Sequence, residues 1–139
     1  MSLFSALAIS GTGMSAESER LSATASNLAN ANSAVNTGGQ SYKAREVVFQ
    51  AVPVGDGGDA PNSVGMAGVR VAAVVESSAP ERSVYDPSST FADEKGYVKM
   101  PNVNPVDEMV NMISAQQDYQ ANLEAFNVAK TLALRTLQI

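Results

Sequence analysis

The feature that most constrains this chain is where its helix breakers lie. Eight of the ten glycines and five of the six prolines fall in residues 37–103, and from Val106 to Ile139 there is neither. Residues 1–36 are rich in Ala, Ser and Asn and contain no Pro. Glycine and proline are the strongest local interrupters of regular structure. Their segregation therefore predicts a fold that is mainly α with a small β part. Long N- and C-terminal helices form an antiparallel, coiled-coil-like pair, joined by a β-hairpin and loop-rich middle. The expected division is 1–36, 37–103 and 104–139.

The first segment repeats every seven residues, at Leu7, Met14, Leu21 and Leu28. Three residues before each stand Phe4, Gly11, Ser18 and Ala25, so one seam position is large and the other mostly small. Such a heptad predicts a helix over about 3–30 that another helix can approach closely. Gly11 and Gly13 should loosen it, each by about 1 kcal/mol relative to Ala. The last segment opens on Asn104, a capping residue. Pro105 suits the first turn and Asp107 sits three residues after the cap. Its apolar positions run Met109, Met112, Ile113, Tyr119, Leu123, Phe126, Ala133, Leu134 and Leu137, with Gln116, Gln120 and Asn127 on or beside them. A helix of this length is a rod of about 50 Å, long for so short a chain.

Tyr42–Val54 and Val69–Glu76 read as strands, the second with Val69, Val71, Ala73 and Val75 on one face. The glycine-rich run 55–63 between them predicts a hairpin. Residues 77–101 read mostly as loop, with a turn at Tyr85-Asp86-Pro87 and an extended piece at 96–99.

Composition excludes much chemistry. The chain has no Cys and no His, which removes thiolate nucleophiles, imidazole bases, disulfides and the common zinc, copper and iron ligand sets. Its net charge of −5 is spread evenly and includes no basic block, so no nucleic-acid partner is expected. Gly11-Thr-Gly13-Met-Ser-Ala16 imitates a dinucleotide-binding string. However, no Val/Ile-rich strand precedes it and no acid stands about 20 residues on. Asp56 and Asp59 lack calcium-loop spacing, and no carboxylate pair is fixed across a cleft. The expectation is no enzyme, no cofactor, no metal and no small-molecule substrate.

The amide cluster Ser26-Asn27-Leu28-Ala29-Asn30-Ala31-Asn32-Ser33 has two readings. It can end a helix, since Asn tolerates left-handed backbone, or it can form a tight contact in which each buried amide finds a partner. The apolar seams at both chain ends exceed what the middle can cover, so they must pair with each other or with neighbouring molecules.

At these residues the chain resembles the flagellar basal-body rod proteins. Ser10–Ala16 through Leu21, the cluster 26–33, Tyr42-Lys-Ala-Arg45 with Val47-Val-Phe-Gln50, Tyr85-Asp-Pro87, Ala92–Val98, Pro101–Ser114, Tyr119–Asn122 and 130–137 carry the likeness. It covers most of the chain, and 55–68 matches least. The short length is similar to that of the proximal members, because distal rod and hook members carry larger central domains.

The resemblance implies a non-catalytic structural subunit that polymerises through its terminal helices into a drive shaft around an export channel. It also implies a place in the basal body, spanning the periplasm, reached through the flagellar type III export apparatus without a cleaved signal peptide. Partners would be proximal and distal rod subunits, the rod–ring adaptor protein and the inner-membrane ring. The assembly interface is expected at Leu7, Met14, Leu21, Asn27, Leu28, Asn30, Asn32, Met109, Ile113, Tyr119, Leu123, Phe126, Leu134 and Leu137. The helical ends of the free subunit are expected to be poorly ordered. A transient helical adaptor, or another rod or hook family member, is the alternative.

Overall fold

The computed structural model describes residues 3–35, 39–54 and 66–137, except for the side chain of Leu137. Helix α1 spans Leu3–Asn30 and helix α2 spans Pro105–Leu137. Between them, β1 (Arg45–Pro53) pairs antiparallel with β2 (Ala67–Glu76), and β3 (Arg82–Tyr85) pairs antiparallel with β4 (Tyr97–Met100). The expected arrangement of two long terminal helices around a small β middle is what the chain adopts. The glycine-rich run with Asp56 and Asp59 and the side chain of Leu137 lie outside the described residues.

The two helices run antiparallel. Asn27, in the last turn of α1, bonds Glu108 in the first turn of α2, and Gly13 lies against Asn122. These two pairs set one register, in which each step back along α1 is a step forward along α2. Carried on, that register sets Leu3 level with Leu132, so the last turn of α2 runs past the first described turn of α1.

The start of α2 follows its sequence. The Asn104 side-chain oxygen accepts from the Val106 N–H (3.1 Å), its amide donates to Asp107 (2.8 Å), and its carbonyl takes the Glu108 N–H. The sevenfold rhythm of α1, by contrast, does not mark the face turned inward. Ser5, Ser10, Gly13, Ala16, Thr24 and Asn27 are buried, while Leu7, Met14, Leu21 and Leu28 stand half-buried on the flank and Phe4, Ser18 and Ala25 are exposed. Small side chains let the backbones approach closely. A Cβ at Gly13 would stand 2.8 Å from the Asn122 carboxamide, so only glycine fits there without displacing that side chain. Helix α1 runs without a break from Leu3 to Asn30 through both glycines.

Helix α2 divides its apolar residues between two faces. Glu108, Met112, Ala115, Tyr119, Asn122, Phe126, Ala129 and Ala133 are buried or half-buried at alternating steps of four and three, which is the spacing of a helix seam, and Pro105 and Ser114 are half-buried outside that series. Met109, Ile113, Leu123 and Leu134, expected on the same stripe, instead face outward with Gln116, Gln120 and Asn127.

The β1–β2 hairpin lies against α1. Thr12 Oγ1 donates to the Ile9 carbonyl (2.7 Å) and accepts the Val69 N–H (3.2 Å), and glycine at 68 leaves room for that contact. A bulge corrects the expected facing of β2. Val48 pairs with Ala73 but Phe49 pairs with Val71, which leaves Ala72 as an extra residue. The alternation reverses there, so Val74 shares the face of Val69 and Val71 while Ala73 and Val75 turn to the other side. Strand β1 also begins at Arg45, not Tyr42.

Residues 77–101 contain more regular structure than expected. Arg82–Tyr85 is a strand, exposed along its whole length and so without an alternating pattern to betray it. The connection back to β4 turns on Gly96 (φ 81°), a left-handed position where a Cβ would meet Tyr85 and Pro87. Asp93 ties the same turn by accepting the Lys95 and Tyr97 N–H groups.

The apolar core is small and sits at one end of the helix pair. Ala31, Ala44 and Val103 pack with half-buried Tyr42 where α1 ends, β1 begins and α2 is about to start.

Candidate functional site: an amide hub and the outer helix faces

Asn27 organises that end of the molecule. Its side chain is 2% exposed, and all four of its hydrogen-bonding positions are used. Oδ1 accepts from the Arg45 N–H (2.8 Å) and the Tyr42 hydroxyl (2.9 Å). Nδ2 donates to the Arg45 carbonyl (2.9 Å) and to Glu108 Oε2 (3.0 Å). One carboxamide thus joins α1, the start of β1 and the first turn of α2. Ser26 Oγ lies 3.1 Å from the Tyr42 hydroxyl and extends the network.

The two readings of the amide cluster belong to different residues. Asn27 makes the packed contact. Asn30 ends the helix, with Nδ2 donating back to the Ser26 carbonyl (2.8 Å) and its own carbonyl accepting the Ser33 N–H (3.1 Å). It does so without left-handed backbone, since Gly96 alone among the described residues has positive φ. Asn32 is exposed.

A second carboxamide, Asn102, escaped sequence reasoning. Its oxygen accepts the Ala44 N–H (2.8 Å) and its amide donates to the Ser77 (3.4 Å) and Ala79 (2.9 Å) carbonyls. It ties the approach to α2 to both strands at one end of the β1–β2 ladder, where Arg45 pairs with Glu76. Its position between Pro101 and Val103, both buried, was the one available signal.

Midway along the pair, Arg20 reaches Glu17 (3.4 Å) on its own helix and Asp118 (3.6 Å) on α2. Burial pushes the Glu17 carboxyl above the ordinary carboxylate range. The Arg20 charge opposes this and Asp118 adds to it. Among the described residues no three His, Cys, Asp or Glu side chains gather in a group able to hold a metal ion.

The expected interface residues separate by position. Tyr119 and Phe126 face α1 and are half-buried; Leu7, Met14, Leu21 and Leu28 form the half-buried flank of α1. Met109, Ile113, Leu123 and Leu134 stand on the outer face of α2 with Val106, Val110, Val128 and Leu132, at 40–64% exposure. Helix α2 thus carries apolar side chains on both faces. Here α1 covers only one. None of the described helices is long and apolar enough to cross a membrane.

The chain is similar to known proteins along its whole length. Residues 7–36 match the family described as flagella basal body rod protein, and residues 94–139 match flagellar basal body rod FlgEFG protein C-terminal. The chain is 48% identical over 139 residues to the flagellar basal-body rod protein FlgC of Salmonella typhimurium, with all of this chain and 98% of that protein aligned. Identity to FlgC of Escherichia coli O6:H1 is 47% over the same span. It is 42% over 141 positions for FlgC of Buchnera aphidicola subsp. Schizaphis graminum, again covering all of this chain and 98% of the relative. Joined end to end at this identity, the chain belongs to the FlgC family of flagellar basal-body rod proteins.

Proposed function

We propose that this chain is a structural, non-catalytic subunit of the basal-body rod that polymerises by burying the outer face of α2, with the leucine flank of α1, against neighbouring subunits. The carrying observation is the row of large apolar side chains left open on α2, opposite a seam already filled by α1. Covering eight such side chains at about 1.5–3 kcal/mol for full burial of each is ample to drive association, even when only half of each is still open. The small-residue contact inside the subunit lets the two helices approach closely, and a slender pair of that kind packs side by side into a tube. Tubes of this kind transmit torque along their length and leave a central channel. The neighbours we assign are proximal and distal rod subunits, the rod–ring adaptor protein and the inner-membrane ring. Delivery is through the flagellar type III export apparatus into the periplasm.

The test is to place a charge on each face. Leu21→Asp and Leu134→Asp should each leave synthesis and helical content intact while removing the chain from purified basal bodies and abolishing motility. Normal incorporation of both variants would refute the interface.

A further inference from the structure

The middle of the helix pair holds one cation against two acids. The register that brings Asn27 to Glu108 and Gly13 to Asn122 sets Glu17 of α1 level with Asp118 of α2. Arg20 reaches both through one atom. Its Nη1 lies 3.4 Å from Glu17 Oε2 and 3.6 Å from Asp118 Oδ2. A well-formed guanidinium–carboxylate bond is about 2.7–2.9 Å long, so this nitrogen is divided between two partners and closed on neither. The two acids differ in their access to water. The Glu17 side chain is 13% exposed and that of Asp118 is 54% exposed. On the side of the β1–β2 hairpin, Glu17 shares its recess with Phe49, Ala51 and Val69, none of which carries charge. Arg45 and Glu46 of β1 and Glu108 of α2 border the recess beside Arg20, and Glu19 lines a separate recess with Arg70. None of these five forms an ion pair with the cluster among the described residues.

We infer that a proton on Glu17 decides which helix Arg20 binds. With Glu17 ionised, Arg20 is held on its own helix, and two level carboxylates repel across the contact. When Glu17 takes a proton from solvent it releases the guanidinium, and Nη1 closes on Asp118. A contact within α1 thereby becomes a bridge from α1 to α2. The proton goes to Glu17 because that charge is the one removed from water, whereas Asp118 keeps its hydration. Burial raises the Glu17 carboxyl pKa, in the direction this requires. The closed bridge is present below the folded Glu17 value and is lost as the pH rises through it. The helix pair is therefore held more firmly in acid surroundings, with no metal, thiol or imidazole involved.

Two measurements on the full-length free subunit test this. In the first, carboxyl and guanidinium NMR signals are followed from neutral to acid pH. The Arg20 signals should move with the midpoint of the Glu17 titration, and Glu17→Gln should remove that step. Arg20 signals that stay fixed while Glu17 titrates would overturn the inference.

The second is a double-mutant cycle of Arg20→Gln and Asp118→Asn at neutral pH, run in the unmodified chain and again with Glu17→Gln. Gln keeps the size of a protonated Glu and lacks the charge. The Arg20–Asp118 coupling should grow when Glu17→Gln is present, by about two- to fivefold in the folding equilibrium constant, the range of an exposed pair. A Glu17 that is buried but hands nothing over would change overall stability and leave that coupling alone. Equal or smaller coupling in the Glu17→Gln chain therefore contradicts the hand-over, and the NMR titration needs no variant to fold in order to refute it.

Discussion

Replacing Asn27 with alanine should loosen the end of the subunit where all three structural parts meet. The change deletes three hydrogen bonds to neutral groups and one to a carboxylate. At about 1 kcal/mol for each neutral bond and about 1.5 kcal/mol for the charged one, the gross loss is near 4.5 kcal/mol. Tyr42 and Glu108 are half-buried and can turn to water, which leaves a net loss of about 3 kcal/mol. With a urea slope of about 1.5 kcal/mol per molar, the unfolding midpoint of the free subunit should fall by about 2 M with the slope unchanged. Asn27→Asp sharpens the test. It keeps an acceptor for Arg45 N–H but turns a second oxygen toward the Arg45 carbonyl and the Glu108 carboxylate, where a donor is required. At neutral pH the Asp variant should be less stable than the Ala variant, and the gap should close as the pH falls through the carboxylate range. A loss below about 1 kcal/mol in the alanine variant, or equal stability of the two at neutral pH, would refute the reasoning.

The two glycines of α1 should respond differently. Gly11→Ala meets nothing within 4 Å and should raise stability by up to about 1 kcal/mol, whereas Gly13→Ala has to turn the Asn122 carboxamide aside and should gain less than Gly11→Ala; thermal melts of both decide it. Glu17 has a raised carboxyl pKa in the folded subunit, so its contribution is full at acid pH and is lost as the pH rises through that folded value. Glu17→Gln should accordingly flatten the stability–pH curve above the carboxylate range, as read by urea midpoints from acid to neutral pH. Limited proteolysis of the free subunit should nick the first turns of α1 and the last turns of α2 before the Asn27–Glu108 end, and simultaneous cleavage at both ends of the pair would count against the hub as the anchor.

The long elements were legible because their signals are local. Freedom from interior Pro, the Asn104-Pro105 opening and an apolar rhythm each act within a turn or two, and both helices sit within a residue or two of their expected bounds. Which face turned inward was less legible. Heptad reasoning favours large residues at a seam, yet here Ser10, Gly13 and Ala16 line it because close approach of two backbones outweighs side-chain bulk. The sequence of α2 likewise could not separate Met112 and Phe126 from Ile113 and Leu134, since all are large and apolar and only the register with α1 distinguishes them. The bulge at Ala72 depends on cross-strand pairing, which no single strand encodes. Strand β3 is paired but uncovered, so burial imposed no alternation on Arg82–Tyr85. For the amides, Asn27 and Asn30 look identical in sequence; their different roles follow from which side of α1 meets β1.

A density map of the isolated basal body with this chain traced tests the central claim most directly. The account predicts Val106, Val110, Ile113, Leu132 and Leu134 buried against neighbouring subunits, with the α1–α2 register of the single subunit preserved. A rod in which that face of α2 lies open to water, while subunits touch through other surfaces, would contradict it.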